Sequence, residues 1–194
     1  IFCFEPGPGR EREKEAQGME LHEVLKGSPI IAAVKDYEGM RKALSCDSEV
    51  FFILFGTICD IGDIVDEVKA AGKIVFVHLD LIEGLAGKDV AVDFLLKTTK
   101  LDGIISTKPA LLKYARGKGL LTVQRFFLLD SIAAANVDRQ FATSKPDMVE
   151  VLPGLMTSAI AEIAREHPDT PVIAGGLIKT KEDVVNALNA GAAA

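Results

Sequence analysis

The 194-residue chain contains no tryptophan, two tyrosines and three cysteines. So few large aromatics leave little for the stacking platforms on which single-stranded nucleic acid sites usually hold bases. Cys3, Cys46 and Cys59 are odd in number and show no paired spacing, which points to reduced thiols rather than a disulfide framework. No Cys-x-x-Cys and no His–Cys cluster suggests a metal centre. No apolar run approaches the roughly 18 residues that a membrane-crossing helix needs. Basic excess is missing too. With 22 Lys and Arg against 28 Asp and Glu the net charge is −6, so an anion or RNA site has to be a local patch. Nor does the first apolar strand lead into G-x-G-x-x-G; it continues as PIIAAVKDYEG, which removes the dinucleotide-binding fingerprint.

What is present is an ordinary globular balance, 48% hydrophobic and 26% charged, in a length that suits one domain with a sizeable core. Residues 1–18 are rich in Pro, Gly and charge without the apolar centre of a signal peptide; they read as disordered or extraneous, with the domain occupying residues 19–194. Within it, short apolar strands alternate with amphipathic helices. Strands are expected at Pro29–Val34, Val50–Phe55, from Lys73 onward, Gly103–Ser106, Leu121–Arg125, Met148–Val151 and Val172–Ala174. Helices are expected at Tyr37–Ser45, Ile58–Ala71, Lys88–Thr99, Pro109–Lys118, Ser131–Ala142, Thr157–Glu166 and Lys181–Ala190. Strict β/α alternation at spacings this short implies a parallel sheet with right-handed crossovers.

The segment Lys73–Gly84, KIVFVHLDLIEG, organises the rest. Its start is apolar on both faces, as a strand covered on both sides must be. Alternation puts Ile74, Phe76, His78 and Asp80 on one face, so an imidazole and a carboxylate arrive together at the strand's end. GIISTK, TVQRFFLLDS, MVEVLPG and VIAGGLI repeat the plan. Polar residues at the C-terminal ends of four or five different strands favour a (β/α)8 barrel over a doubly wound sheet, whose ligands sit at one switch point. The chain closes on AGAAA where that rhythm calls for another strand, so the expected fold is a TIM-type barrel truncated before or within strand eight.

The candidate chemistry lies at those strand ends. Gly175 and Gly176, before a helix, suit a backbone cradle for phosphate. Arg125, on the apolar face of its strand, requires a counter-charge, for which Glu150 on the next strand is placed; the pair reads equally as a structural ion pair and as a ligand contact. Asp130 is placed to cap the helix that follows it. His78 and Asp80 suit either general acid–base work or hydrogen bonds to a polyol; with Glu83 or Glu150 added they match no zinc or iron pattern, so no metal is expected. Lys108 follows strand four and precedes Pro109, which favours an outward or anion-facing role over a Schiff base.

Taken in order, IIAAV, KIVFVHLDLIEGL, DGIISTK, VQRFFLLDS, VEVLPG and PVIAGGLI resemble the glycerol-3-phosphate-responsive antiterminators, regulators of bacterial glycerol uptake operons. The resemblance covers strands one and three to seven of Met19–Ala194. It implies a (β/α)8 fold and a cytoplasmic, non-enzymatic regulator that senses glycerol 3-phosphate and binds a leader mRNA, with no cofactor. Asp80, Lys108, Arg125, Glu150, Gly175 and Gly176 fall on the family's motifs as effector-binding residues, and His78 is a further possible ligand contact. Glu83 stands where the family more often has Asn. For RNA the sequence offers a cationic face around Lys113 and Arg116, joined by Lys97, Lys100 and Lys118, although a solvated helix surface is the favoured reading of it. The other readings are a barrel enzyme acting on a small phosphorylated substrate through His78 and Asp80, and a plain metabolite-binding protein. Homo-oligomerisation is a further possibility.

Overall fold

The computed structural model describes residue 18 and residues 21–194. The expectation for residues 1–18 therefore falls, apart from Gly18, outside the described residues, as does Cys3; Cys46 and Cys59 are free and exposed thiols. Residues 21–27 form a short helix, α1. Beyond it run β1 (Ala32–Val34), α2 (Tyr37–Leu44), β2 (Val50–Ile53), α3 (Ile61–Ala70), β3 (Ile74–His78), α4 (Asp89–Thr98), β4 (Gly103–Ser106) and α5 (Pro109–Gly117). The second half comprises β5 (Leu121–Phe127), α6 (Ser131–Ala135), α7 (Val137–Ser144), β6 (Met148–Leu152), α8 (Thr157–Glu166), β7 (Val172–Ala174) and α9 (Lys181–Asn189). The single helix expected over Ser131–Ala142 is broken at Asn136, whose side-chain amide donates to the Ile132 carbonyl at 2.8 Å and whose backbone both ends α6 and begins α7.

All seven strands are parallel and hydrogen-bonded in chain order, β1 to β7, in one curled sheet. The TIM-type barrel expected to lack strand eight is observed, among the described residues, as a curled half-barrel of seven strands in which β1 pairs with β2 alone. Ala193 and Ala194 run beside β7, bonded to Val172 O at 2.7 Å and to Ala174 N at 2.8 Å.

The doubly apolar strands are explained by two cores. On the concave side Val50, Phe52, Phe76, Ile105, Leu121, Val123, Met148 and Ile173 pack together, and Leu21 and Leu25 of α1, one helical turn apart, close over them. On the convex side Phe51, Ile53, Val75, Val77, Ile104, Val149 and Val151 meet the helices. Phe51, Phe52 and Phe76 are essentially inaccessible, each contributing about 1.5–3 kcal/mol of burial. Gly103 is required here, because a Cβ would lie 2.3 Å from the Phe76 ring. A repeated acidic device fixes strand entry: Asp102 accepts from Val75 N at 2.7 Å and Asp147 from Thr122 N at 2.9 Å.

Helix starts follow the local chemistry. Asp36 accepts from Gly39 N, Asp130 from Ala133 N, and Thr180 with Asp183 forms a reciprocal capping box. Each of these helices begins at the same end of the sheet, where the strands finish. That end is the mouth.

Candidate functional site

Arg125 and Glu150 face each other across β5 and β6, in register, on the concave side. Arg125 Nε donates to Glu150 Oε2 at 2.7 Å and Nη2 donates to Oε1 at 3.2 Å, with both side chains over nine-tenths buried. The counter-charge anticipated for Arg125 is therefore Glu150. Two parallel N–H···O bonds fix the guanidinium plane, and the remaining Nη1 is its uncommitted donor. Burial raises the Glu150 carboxyl, and Arg125 opposes that rise. Gly175, at the end of β7, lets this carboxylate sit where it does: a Cβ there would lie 2.4 Å from Glu150 Oε1. Gly154 presses on the same loop, its N–H donating to Gly175 O at 2.5 Å, with no space for a Cβ against Ala174 and Gly175 backbone. Gly176 has a separate reason to be glycine, a φ of +69°, and Leu177 follows it with φ of +61°.

Asp80 does not share a strand face with His78. β3 ends at His78, and Leu79–Leu81 turn into a single 3₁₀ turn with Leu79 buried. This rotates Asp80 towards β4. Its Oδ2 accepts from Ser106 Oγ at 2.8 Å, Thr107 N at 2.9 Å and Thr107 Oγ1 at 3.3 Å, and Lys108 Nζ stands 3.2 Å from Oδ1. Burial alone would raise the Asp80 carboxyl; the Thr107 N–H, Ser106 and Lys108 together hold it below its ordinary value. The Lys108 ammonium crosses directly over Gly87, where a Cβ would lie 2.0 Å from Nζ. Lys108 is also a wall of a cavity of about 650 Å³ beside the mouth, shared with Thr107, Arg139, Gln140 and Thr143.

His78 is 2% exposed and its Nδ1 has no hydrogen-bond partner. Burial first, then the neighbouring Arg125 charge, lower its pKa from 6.5 to about 4, so the imidazole is neutral at physiological pH. No hydrogen bond joins it to Asp80, whose Oδ2 is taken by the β4–α5 loop and whose buried Oδ1 makes no hydrogen bond and has only the Lys108 ammonium 3.2 Å away. His78 and Asp80 are therefore not assembled as an acid–base pair. What the mouth offers is a neutral imidazole, two internally neutralised ion pairs and a close-packed glycine loop.

Sequence reasoning placed His78, Asp80, Lys108, Arg125, Glu150, Gly175 and Gly176 at strand ends, and the structure gathers them around one mouth. It missed Gly87 and Gly154, whose signal is only the absent Cβ. It also missed Gln124, which is buried on the convex side with Nε2 donating to Thr107 O at 3.2 Å. Lys113 and Arg116 lie elsewhere, on α5, where Arg116 Nη1 donates to the Lys145 carbonyl; Lys118 pairs with Asp93 at 3.3 Å. Away from the mouth, Asp138, Glu166 and His167 bring their ligand atoms within 4.8 Å of one another.

Fold and site together define a TIM-type α/β protein that gathers charged and hydrogen-bonding side chains at the C-terminal ends of its strands. Deoxyribose phosphate aldolase from Aeropyrum pernix shares the architecture alone, at 15% identity and a TM-score of 0.63 over 97% of this chain and 92% of that one. The sequence profile of the glycerol-3-phosphate responsive antiterminators matches residues 30–194, and the chain belongs to that family. YgcP of Escherichia coli K12 is 44% identical over 176 residues, 91% of this chain and 92% of its own. The glycerol uptake operon antiterminator regulatory protein of Listeria monocytogenes superposes with a TM-score of 0.81 at 34% identity, covering 84% of this chain and 88% of that one. A glycerol uptake operon antiterminator-related protein of Thermotoga maritima gives 0.74 at 34% identity over 84% and 90%. No helix of the described residues is long and apolar enough to cross a membrane.

Proposed function

We propose that this protein is a cytoplasmic, non-catalytic regulator that binds glycerol 3-phosphate at the mouth and, in response, binds the leader mRNA of glycerol-utilisation genes to prevent termination. Family membership supports the regulator, and the single structural observation that carries the effector site is the gathering of charged and hydrogen-bonding groups at one end of the sheet. Their charges already cancel, Arg125 against Glu150 and Lys108 against Asp80. A phosphate dianion therefore cannot rely on standing net charge. It is received by Lys108, the half-exposed member of its pair, and by the backbone N–H groups of the Gly175–Gly176 loop. Asp80 keeps Ser106 and Thr107 as partners when Lys108 turns to the ligand. His78, neutral and with a free ring nitrogen, and the spare Arg125 Nη1 suit the glycerol hydroxyls. On this reading Lys113 and Arg116 of α5 supply phosphate contacts to RNA.

The aldolase-like fold keeps a second reading in view, a barrel enzyme acting on a phosphorylated substrate. Against it, the His78 imidazole is a weak base with a pKa of about 4, and no hydrogen bond joins it to Asp80.

One experiment with two readouts tests the proposal. At a hundred times its Kd the effector stabilises by about 2.7 kcal/mol, which is several degrees of Tm for a domain of this size. Glycerol 3-phosphate should produce that shift and glycerol should not; equal shifts overturn the phosphate site. In the same preparation, effector-loaded protein should retain leader RNA, and Lys113→Glu with Arg116→Glu should weaken retention and flatten its salt dependence by nearly one log–log unit per lost contact. Absence of RNA binding with effector present overturns the regulator reading, and turnover of a polyol phosphate supports the enzyme instead.

A further inference from the structure

Two glycines at the mouth make room for a charged side chain: Gly175 for Glu150 and Gly87 for Lys108. Neither has the positive φ found at Gly176, so space alone excludes a Cβ at these two positions. At Gly87 that Cβ would collide with Lys108 Nζ and meet Cε at 3.0 Å and Cδ at 3.1 Å. The ion pairs that the two glycines admit differ in how firmly they close. Arg125 and Glu150 are both over nine-tenths buried and joined by two hydrogen bonds, so neither partner is free to leave. Lys108 and Asp80 meet at one point, 3.2 Å, with the lysine side chain half exposed and lining a cavity of about 650 Å³. An ion pair of that kind is weak. Asp80 does not depend on it, because its Oδ2 holds Ser106 Oγ and Thr107 N whichever way the lysine points.

We propose that Gly87 is a positioning residue for the effector site: it lets Lys108 fold back onto Asp80, so that this carboxylate and an incoming phosphate compete for one ammonium. The proposal rests on the effector reading given above, in which Lys108 receives the phosphate. A phosphate dianion replaces the charge that Lys108 leaves behind, whereas a neutral polyol replaces none, so a folded-back lysine favours phosphorylated ligands over their alcohols. Affinity is lost in exchange. Every binding event has to break the Asp80 contact, and the apparent dissociation constant rises as the fraction of protein with a free Lys108 falls. Gly87→Ala denies Lys108 the folded-back position, and the adjoining cavity takes the displaced side chain. The change should therefore tighten binding, the reverse of what a loosened loop would do.

Calorimetric titration with glycerol 3-phosphate tests this. Gly87→Ala should give a dissociation constant about two- to fivefold below that of the wild type, the range that a half-exposed ion pair returns when the ligand no longer has to break it. Lys108→Met should weaken binding, and adding Gly87→Ala to Lys108→Met should change nothing further, whereas a general effect of the methyl group would shift both backgrounds alike. A second measurement needs no ligand. Burial works to raise the Asp80 carboxyl, and the Thr107 N–H, Ser106 and Lys108 hold it low; in Gly87→Ala its carbon-13 resonance should titrate at higher pH than in the wild type. Unchanged or weaker affinity in Gly87→Ala overturns the proposal, as does an equal gain in the Lys108→Met background or an Asp80 titration that does not move. The two readings fail separately. A wild type that binds no glycerol 3-phosphate, with the Asp80 titration still raised in Gly87→Ala, sinks the effector reading and the competition with it, and leaves the hold of Gly87 on Lys108. A wild type that binds as tightly as Gly87→Ala sinks the role of Gly87 and leaves the effector site.

Discussion

His78 makes a quantitative claim about acid stability. Its imidazole is buried beside the Arg125 guanidinium, Nδ1 has no partner, and its pKa falls from 6.5 in the unfolded chain to about 4 in the folded one. Between those values the unfolded state binds the extra proton, so stability rises with pH through the window. The contribution is complete above pH 6.5 and disappears as pH falls towards 4. By pH 4.5 the unfolded histidine is almost fully protonated and the folded one mostly neutral, which removes about 2.5 kcal/mol of stability. Carboxylates complicate a single acid titration. Asp80, whose carboxyl is held low, also withdraws stability as pH drops through its own range. A comparison isolates the imidazole. His78→Gln keeps an amide of similar size and carries no proton at any of these pH values. Urea unfolding of both proteins between pH 7.5 and 4.5 should show the wild type losing about 2.5 kcal/mol more than the variant over that range, whatever constant offset the substitution introduces. Parallel pH profiles would refute the reasoning, because they would mean that His78 is charged in the fold or reaches water when protonated.

Two further outcomes follow from the mouth's packing. Glu150→Ala should destabilise by about 3–5 kcal/mol by stranding Arg125, whereas Arg125→Met with Glu150→Leu should be neutral or stabilising, a non-additive cycle readable from denaturant midpoints. Gly175→Ala should cost about 1–3 kcal/mol, since its Cβ lies 2.4 Å from Glu150 Oε1, and the cost should shrink in the Met/Leu background, whereas Gly87→Ala should cost under about 1 kcal/mol because only the flexible Lys108 tip has to move.

The architecture was legible because hydrophobic periodicity carries it directly. Seven strands and their order came from apolar runs such as VFFILF and IVFV, which only a sheet covered on both faces would require. The boundaries that went astray are those settled by a few hydrogen bonds. Phe127 extends β5 two residues past Arg125 by pairing with Leu152, and the Asn136 amide divides a helix that composition reads as continuous. Closure into a full barrel is a property of sheet curvature and of which edges meet, and no local pattern encodes it.

The site shows the same division more sharply. Arg125 and Glu150 were recoverable because both interrupt an apolar face on neighbouring strands, and a buried charge in that setting has few places to go. Asp80 was recoverable as a mouth residue but not in its contacts. Extending β3 by two residues would have pointed it inward beside His78, and the 3₁₀ turn over Leu79–Leu81 points it at Ser106, Thr107 and Lys108 instead. Leu79 keeps the convex face that alternation gives it, and the departure begins only at Asp80, so a period-two reading has nothing to signal the turn. The functional consequence is large for so small a shift. With Asp80 inward, His78 would have had a carboxylate partner, a raised pKa and the makings of a general base. With Asp80 turned away, the imidazole is left neutral against Arg125, and the carboxylate ties the β4–α5 loop to the end of β3. One turn of backbone thus decides whether Asp80 faces His78 or the β4–α5 loop, and here it faces the loop.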